Sequence, residues 1–353
     1  MSRTDKIKVG ISIGDIAGIG PEVIIKTFED ERLFKMFTPI LYGNSKVISF
    51  YRKLLEIEKL QYNSVKDINH LSYNSLNIVS AWDDDVVIEP GRPNETTGKL
   101  ALKSLEVATD ALLAGDIDVL VTAPINKSFI HSEEFPFSGH TPYLQSKLKS
   151  EDVLMFMVSE NIRVGLVTEH VAIKDVHTKI TQEAILKKLR LMNQSLIRDY
   201  GIDKPKIAVL GLNPHAGDEG LIGTEDMEII YPAVKAAREE EMIVFGPYPA
   251  DGFFAQSSFQ KFDGVLAMYH DQGLIPFKSL SLDGGVNYSA GMDYVRTSPD
   301  HGTAENISGK NLADASSFRK AIFDALDIYR NRKDYDERNA NPLPKYTQFK
   351  EDR

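Results

Sequence analysis

The sequence predicts an α/β protein built on a largely parallel sheet. Short apolar segments alternate with amphipathic ones along most of the chain, which is the pattern of strands joined by crossover helices. The length, 353 residues, suits two domains or one large α/β unit. No Gly/Ser linker, solenoid repeat or low-complexity tract divides it, so a two-domain arrangement requires the chain to cross between domains more than once.

The elements follow in order. "KIKVGISI" (6–13) reads as a strand ending at Gly14, and Pro21 then opens a helix, a position that needs no amide hydrogen. "PILYG" (39–43) and "LNIVS" (76–80) are strands. Residues 97–114 place Leu102, Leu105, Ala108, Ala111 and Leu112 on one helical face. "DVLVTAP" (118–124) is a buried strand stopped by Pro124. "VLMFMV" (153–158) and "RVGLVTEH" (163–170) are strands, and 181–199 is a helix with a stripe of Ile185, Leu189, Met192 and Leu196. "KIAVLGLNPHAG" (206–217) runs from strand into polar turn, 225–240 is helical, and "DGVLAMYH" (263–270) is a further strand. A last helix spans 314–330, and the charged, Pro-interrupted tail from Asn331 reads as a loosely packed extension.

Composition narrows the function. The net charge of −10 and the lack of any basic run argue against a nucleic-acid surface, while leaving room for a locally basic pocket. With no cysteine, disulfides, thiolate chemistry and Cys-ligated metals are excluded, so a metal would rest on His, Asp or Glu. The first residues lack the apolar core of a signal peptide, and no apolar run nears the ~20 residues of a membrane span. A cytoplasmic protein without membrane or nucleic-acid partners is expected.

In α/β proteins ligands gather beyond the carboxyl ends of strands. Three strands end in polar turns that each carry one histidine: His170 in "TEHVAIKDV", His215 in "NPHAGDEG" and His270 in "YHDQG". A lone histidine there is ordinarily a hydrogen-bonded structural residue. Three in register also fit neutral ligands around one divalent ion with open positions. Both readings stand at this point. His70, His131 and His177 lack that setting. "GDIAGIGPE" (14–22) has strand–turn–helix topology, yet its spacing is neither a dinucleotide fingerprint nor a P-loop, and a tight turn explains it equally well. "SGHTPYL" (138–144) sets His140 and Thr141 before a helix, where an anion site competes with simple capping by Ser138 or Thr141. Lys278, Asn287 and Arg296 fall within a short span and suit a phosphate or carboxylate, or else plain solvated surface. Asp251 in "GPYPADGFF" is a turn former or a proton-transfer group.

Several of these segments, in order from residue 8 to about 315, resemble the 4-hydroxythreonine-4-phosphate dehydrogenase family of vitamin B6 synthesis: "GDIAGIGPE", "TAPINK" (122–127), "GHTPYL", "LNPHAGDEG", "GPYPADGFF", "YHDQGLIPFK" and "RTSPDHGTA" (296–304). Ile16 stands where that family usually has Pro. The resemblance implies two α/β/α domains like those of isocitrate and isopropylmalate dehydrogenases, with the active-site cleft between them. Residues 1–125 plus 280–353 would form one domain, and 126–279 the other, carrying metal ligands and dimer contacts. It implies His170, His215 and His270 as metal ligands, and His140, Thr141, Lys278, Asn287 and Arg296 as substrate-binding residues. It further implies a homodimer with a shared site, a divalent metal (Zn, Mg or Co), and NAD or NADP. A loop like "HGTAENISGKN" (301–311) would hold the cofactor's adenosine, with His301, Gly302 and Thr303 as contacts. The implied substrate is 4-phosphohydroxy-L-threonine, oxidised at C3 to a β-keto acid that decarboxylates. Lys278, Asp251 and Asp271 are the candidate bases, with Asp271 alternatively orienting a neighbouring histidine. Rival readings are a sibling D-threonate or D-erythronate 4-phosphate dehydrogenase, an aromatic dihydrodiol dehydrogenase, a His-metal hydrolase or lyase, and a phosphate-binding protein.

Overall fold

A computed structural model describes residues 6–66, 68–131, 135–281 and 284–342. Its strands are β1 (Lys8–Ser12), β2 (Thr38–Gly43), β3 (Tyr62–Val65), β4 (Leu76–Ser80), β5 (Val119–Thr122), β6 (Leu154–Val158), β7 (Arg163–Leu166), β8 (Lys206–Leu210), β9 (Ile243–Tyr248), β10 (Gly264–Ala267), β11 (Val286–Ala290) and β12 (Val295–Pro299). The helices are α1 (Gly20–Phe28), α2 (Ser45–Leu54), α3 (Glu95–Ala114), α4 (Lys127–Ile130), α5 (His140–Lys147), α6 (Ile173–Lys179), α7 (Gln182–Arg198), α8 (Tyr231–Glu239), α9 (Ala250–Ala255), α10 (His270–Leu280) and α11 (Ser316–Asn339).

All twelve strands lie in one sheet, ordered β3-β4-β2-β1-β5-β12-β11-β6-β7-β10-β8-β9. The sheet is largely parallel, as expected, with antiparallel pairing confined to the ladders around β11 and β6. The strands β3-β4-β2-β1-β5-β12 are mutually parallel, as are β7-β10-β8-β9, and between these two groups β11 runs antiparallel to both β12 and β6, and β6 antiparallel to β7. The two parallel groups therefore run in opposite senses. Strands from 1–125 and 280–353 make one half and strands from 126–279 the other, meeting at the β11–β6 ladder.

Local chemistry explains the long elements. In α3 the Asn94 side chain accepts from the Thr97 amide while the Thr97 hydroxyl accepts from the Asn94 amide, a capping box worth about 1 kcal/mol. Gly115, at φ 76°, closes the same helix in the left-handed region that suits glycine. Between the caps, Ala101, Leu105, Ala108 and Leu112 are buried on one face. The turn 14–22 is a tight strand-to-helix turn. A Cβ on Gly18 would stand 2.9 Å from the Thr303 carbonyl, and the Ile19 amide donates to that same oxygen. The turn thus serves as a bed for the 301–311 loop.

The tail expectation fails over residues 331–339, while residues 343–353 lie outside the described residues. α11 continues to Asn339, and Arg332 within it is buried against Asp199. A charged helix face concealed this, because one buried arginine reads in sequence as one more surface charge.

Candidate active site

A cavity of about 730 Å³ opens over the seam between the two halves of the sheet. Because the halves run in opposite senses, the loops after β5 and β12 and those after β7 and β10 reach it from opposite edges. It gathers His140, Thr141, His170, His270, Lys278, Asn287, Arg296, His301 and Gly302 from the sequence-derived candidates.

One end is a buried basic corner, suited to an anion. Arg296 lies on β12 and is 2% exposed. Its Nε and Nη2 donate to Thr122 Oγ1 at 3.2 and 2.6 Å, and Nη1 donates to Ser289 Oγ at 3.1 Å. Among the described residues no carboxylate pairs with it. Burial pushes its pKa down to about 9, which is the mark of a cation short of a counter-ion. His140 opens α5, and its Nε2 is buried without a partner among the described residues. Burial, then the charges of Arg296 and Lys127, hold its pKa well below the usual imidazole range, so it stays neutral at pH 7. Asn287 Oδ1, on the neighbouring strand β11, is also buried and unpartnered. The capping alternative for this segment fails, since α5 begins after Gly139 with no side-chain cap.

The other end is an imidazole pair. His170 follows β7 and His270 begins α10, with ring centroids 5.8 Å apart. Nitrogen–metal bonds of about 2 Å, plus about 1 Å from nitrogen to ring centre, put two rings sharing one ion about 5–6 Å apart, so the pair fits a divalent cation. Burial, and then Lys127, lower the His170 pKa, which favours the neutral ligand form. Asp271 Oδ1 lies 2.7 Å from His270 Nδ1, so Asp271 orients that ring. Among the described residues no cluster of three or more His, Asp or Glu in a single chain is placed to hold a metal.

The rest of "YHDQG" is structural. Gln272 accepts from the Met268 amide and donates to the Gly211 carbonyl, tying the ends of β10 and β8. A Cβ on Gly273 would come within 2.8 Å of Val164 and Leu166, so only glycine lets α10 lie on β7.

Three candidates stand apart from this cavity. His215 is exposed on a turn whose residues 215–219 all have positive φ, between 45° and 83°. Asp226 holds that turn by accepting from the Leu212 and Asn213 amides. Asp251 is exposed on α9. Thr303 is buried, its hydroxyl donating to Glu305 Oε1 at 2.6 Å, so it supports the loop while His301 and Gly302 face the cavity. His70, His131 and His177 are exposed and do not line the cavity. Sequence reading missed Lys127, Lys179 and Lys188, which also line it. Lys127 sat inside the quoted "TAPINK" but beyond the proline that ends the strand.

Fold and cavity together define an α/β enzyme with a small-molecule cleft over the middle of its sheet. The sequence profile of the family described as "Pyridoxal phosphate biosynthetic protein PdxA" matches residues 35–325, and the chain belongs to that family. It is 48% identical over 349 residues to the 4-hydroxythreonine-4-phosphate dehydrogenase of Bacteroides thetaiotaomicron, covering 99% of this chain and 96% of the relative. It is 36% identical to a protein of Oceanobacillus iheyensis named "Putative D-threonate 4-phosphate dehydrogenase", over 91% of this chain and 97% of that one. The crystal structure of the Klebsiella pneumoniae 4-hydroxythreonine-4-phosphate dehydrogenase superposes with a TM-score of 0.79 at 32% identity, covering 92% of this chain and 98% of that one. No helix among the described residues is long and apolar enough to cross a membrane.

Proposed function

We propose that the chain oxidises 4-phosphohydroxy-L-threonine at C3 with a nicotinamide cofactor, assisted by a divalent cation, to a β-keto acid that then loses carbon dioxide. The observation that carries this reading is the pairing, in one cavity, of an uncompensated buried guanidinium with two facing imidazoles.

The phosphate is the binding handle. Arg296 supplies a forked charge, and His140, Thr141 and Asn287 line the same corner and position the ligand so that C3 approaches His170 and His270. Those two imidazoles would hold the cation, and His215 of a second copy would complete the set, since it is exposed and does not line its own chain's cavity. A cation held by neutral imidazoles supplies Lewis acidity, lowering the hydroxyl pKa. Of the candidate bases, Lys278 lines the cavity, Asp251 does not and Asp271 is engaged with His270, so Lys278 takes the hydroxyl proton. His301, whose Nε2 is buried without a partner, and Gly302 border the cavity and would receive the cofactor's adenosine end. NAD and NADP, and Zn, Mg and Co, all satisfy this scheme.

The test mixes protein, substrate, a divalent metal and NAD or NADP and follows formation of reduced nicotinamide. Turnover that falls with chelator and returns with metal is expected. Absence of reduced nicotinamide with every metal and both cofactors would sink the reading. Faster turnover on D-threonate 4-phosphate would favour the sibling activity carried by the Oceanobacillus relative's name.

A further inference from the structure

We propose that Lys127 is a further substrate-binding residue, its ammonium sharing the ligand's phosphate charge with Arg296. The inference rests on the reading of the anion corner given above and adds a second cation to it.

Four observations meet at this side chain. Lys127 lines the cavity at the first residue of α4, directly after the loop that leaves β5. Among the described residues its ammonium has neither a carboxylate nor a hydrogen-bond acceptor, whereas Lys188, another cavity lysine, donates to the Val153 carbonyl at 2.6 Å. It lies along the segment that carries His140: a Cβ at Gly139 would be 3.4 Å from Lys127 Cε and 3.9 Å from Nζ. It shares the cavity wall with both His140 and His170. An unpaired ammonium in that position faces the phosphate end of a ligand whose other end reaches the imidazoles.

The neighbouring residue fixes the backbone. Asn126 Nδ2 donates to Glu305 Oε1 at 2.7 Å, and the Thr303 hydroxyl donates to the same oxygen at 2.6 Å. The Asn126 side chain also accepts from the Ser128 amide. The wall bearing Lys127 is thus fastened to the loop bearing His301 and Gly302.

The experiment compares wild type, Lys127→Met and Lys127→Arg. Steady-state kinetics would give separate KM values for phosphorylated substrate and nicotinamide cofactor, and calorimetry would measure affinity for inorganic phosphate. Lys127→Met should raise the substrate KM and weaken phosphate binding about tenfold, the size of one charge-assisted contact. The cofactor KM and the thermal midpoint should stay put, and Lys127→Arg should recover most of the loss. Unchanged substrate KM and phosphate affinity in Lys127→Met would overturn the inference, as would a change confined to the cofactor KM, which would assign the ammonium to the dinucleotide. If wild type itself fails to bind phosphate, the anion corner is misread and both proposals fall together. Binding by wild type with no effect of the variant removes only this one.

Discussion

Arg332 and Arg296 are both almost wholly buried, and the chain treats them in opposite ways. Arg332 donates from Nε to Asp199 at 2.7 Å, from Nη2 to the Tyr288 hydroxyl at 2.7 Å and from Nη1 to the Asp293 carbonyl at 2.7 Å. Burial works against its charge, but Tyr288 and Asp199 outweigh that and hold its pKa above the ordinary value. Arg296 has hydroxyl partners alone, and burial acts on it unopposed. The first is a finished clamp joining α11, α7 and β11. The second leaves its charge unanswered where a cavity opens beside it. The difference teaches that burial of a charge does not by itself mark a site. A missing counter-ion next to open space does.

The sharpest way to break this comparison is Arg332→Met. It strands the Asp199 carboxylate in the interior, and a loss of about 3–5 kcal/mol is expected by denaturant unfolding. A loss below about 1 kcal/mol would mean that the clamp is ornamental. Arg296→Met should behave in reverse. Removing an uncompensated cation should leave the ligand-free protein as stable as before, or up to about 1 kcal/mol more stable, while kcat/KM falls by about a hundredfold or more. If both variants destabilise alike, the contrast is lost. A smaller effect is expected at Asp324 on α11, close to the clamp. Burial, opposed by the Arg163 charge and a Tyr200 hydrogen bond, raises its pKa to about 6. Between about pH 4 and 6 the folded state keeps a proton that the unfolded chain has released, so stability declines as pH rises through that window. Asp324→Asn should therefore stabilise by about 1–2 kcal/mol at pH 7–8 and make no difference below about pH 4, measured by urea titration at each pH.

What could be read from sequence follows from the same physics. Strands such as "DVLVTAP" and "LNIVS" are continuous apolar runs, and their places were legible. The strands β11 and β12 were not. "VNYSA" and "VRTSP" bury Ser289, Arg296, Thr297 and Ser298, so the period-two apolar signal is broken by the very groups that build the basic corner. α10 was hidden for a similar reason, since Gly273 and Pro276 both argue against a helix. Many of the residues that line the cavity were named through strand-end position and family resemblance. What sequence could not give is which of the three histidines meet within one chain, because that depends on the direction in which a turn leaves the sheet.

That turn has its own consequence. A run of left-handed residues costs roughly 1–2 kcal/mol for each non-glycine position, and residues 215, 216, 218 and 219 all carry side chains. The buried Asp226 carboxylate, accepting two amides at its root, compels the chain to accept that cost during folding. The proposed cation site would therefore gain from His215 a ring whose backbone is already fixed, with little affinity lost to ordering it.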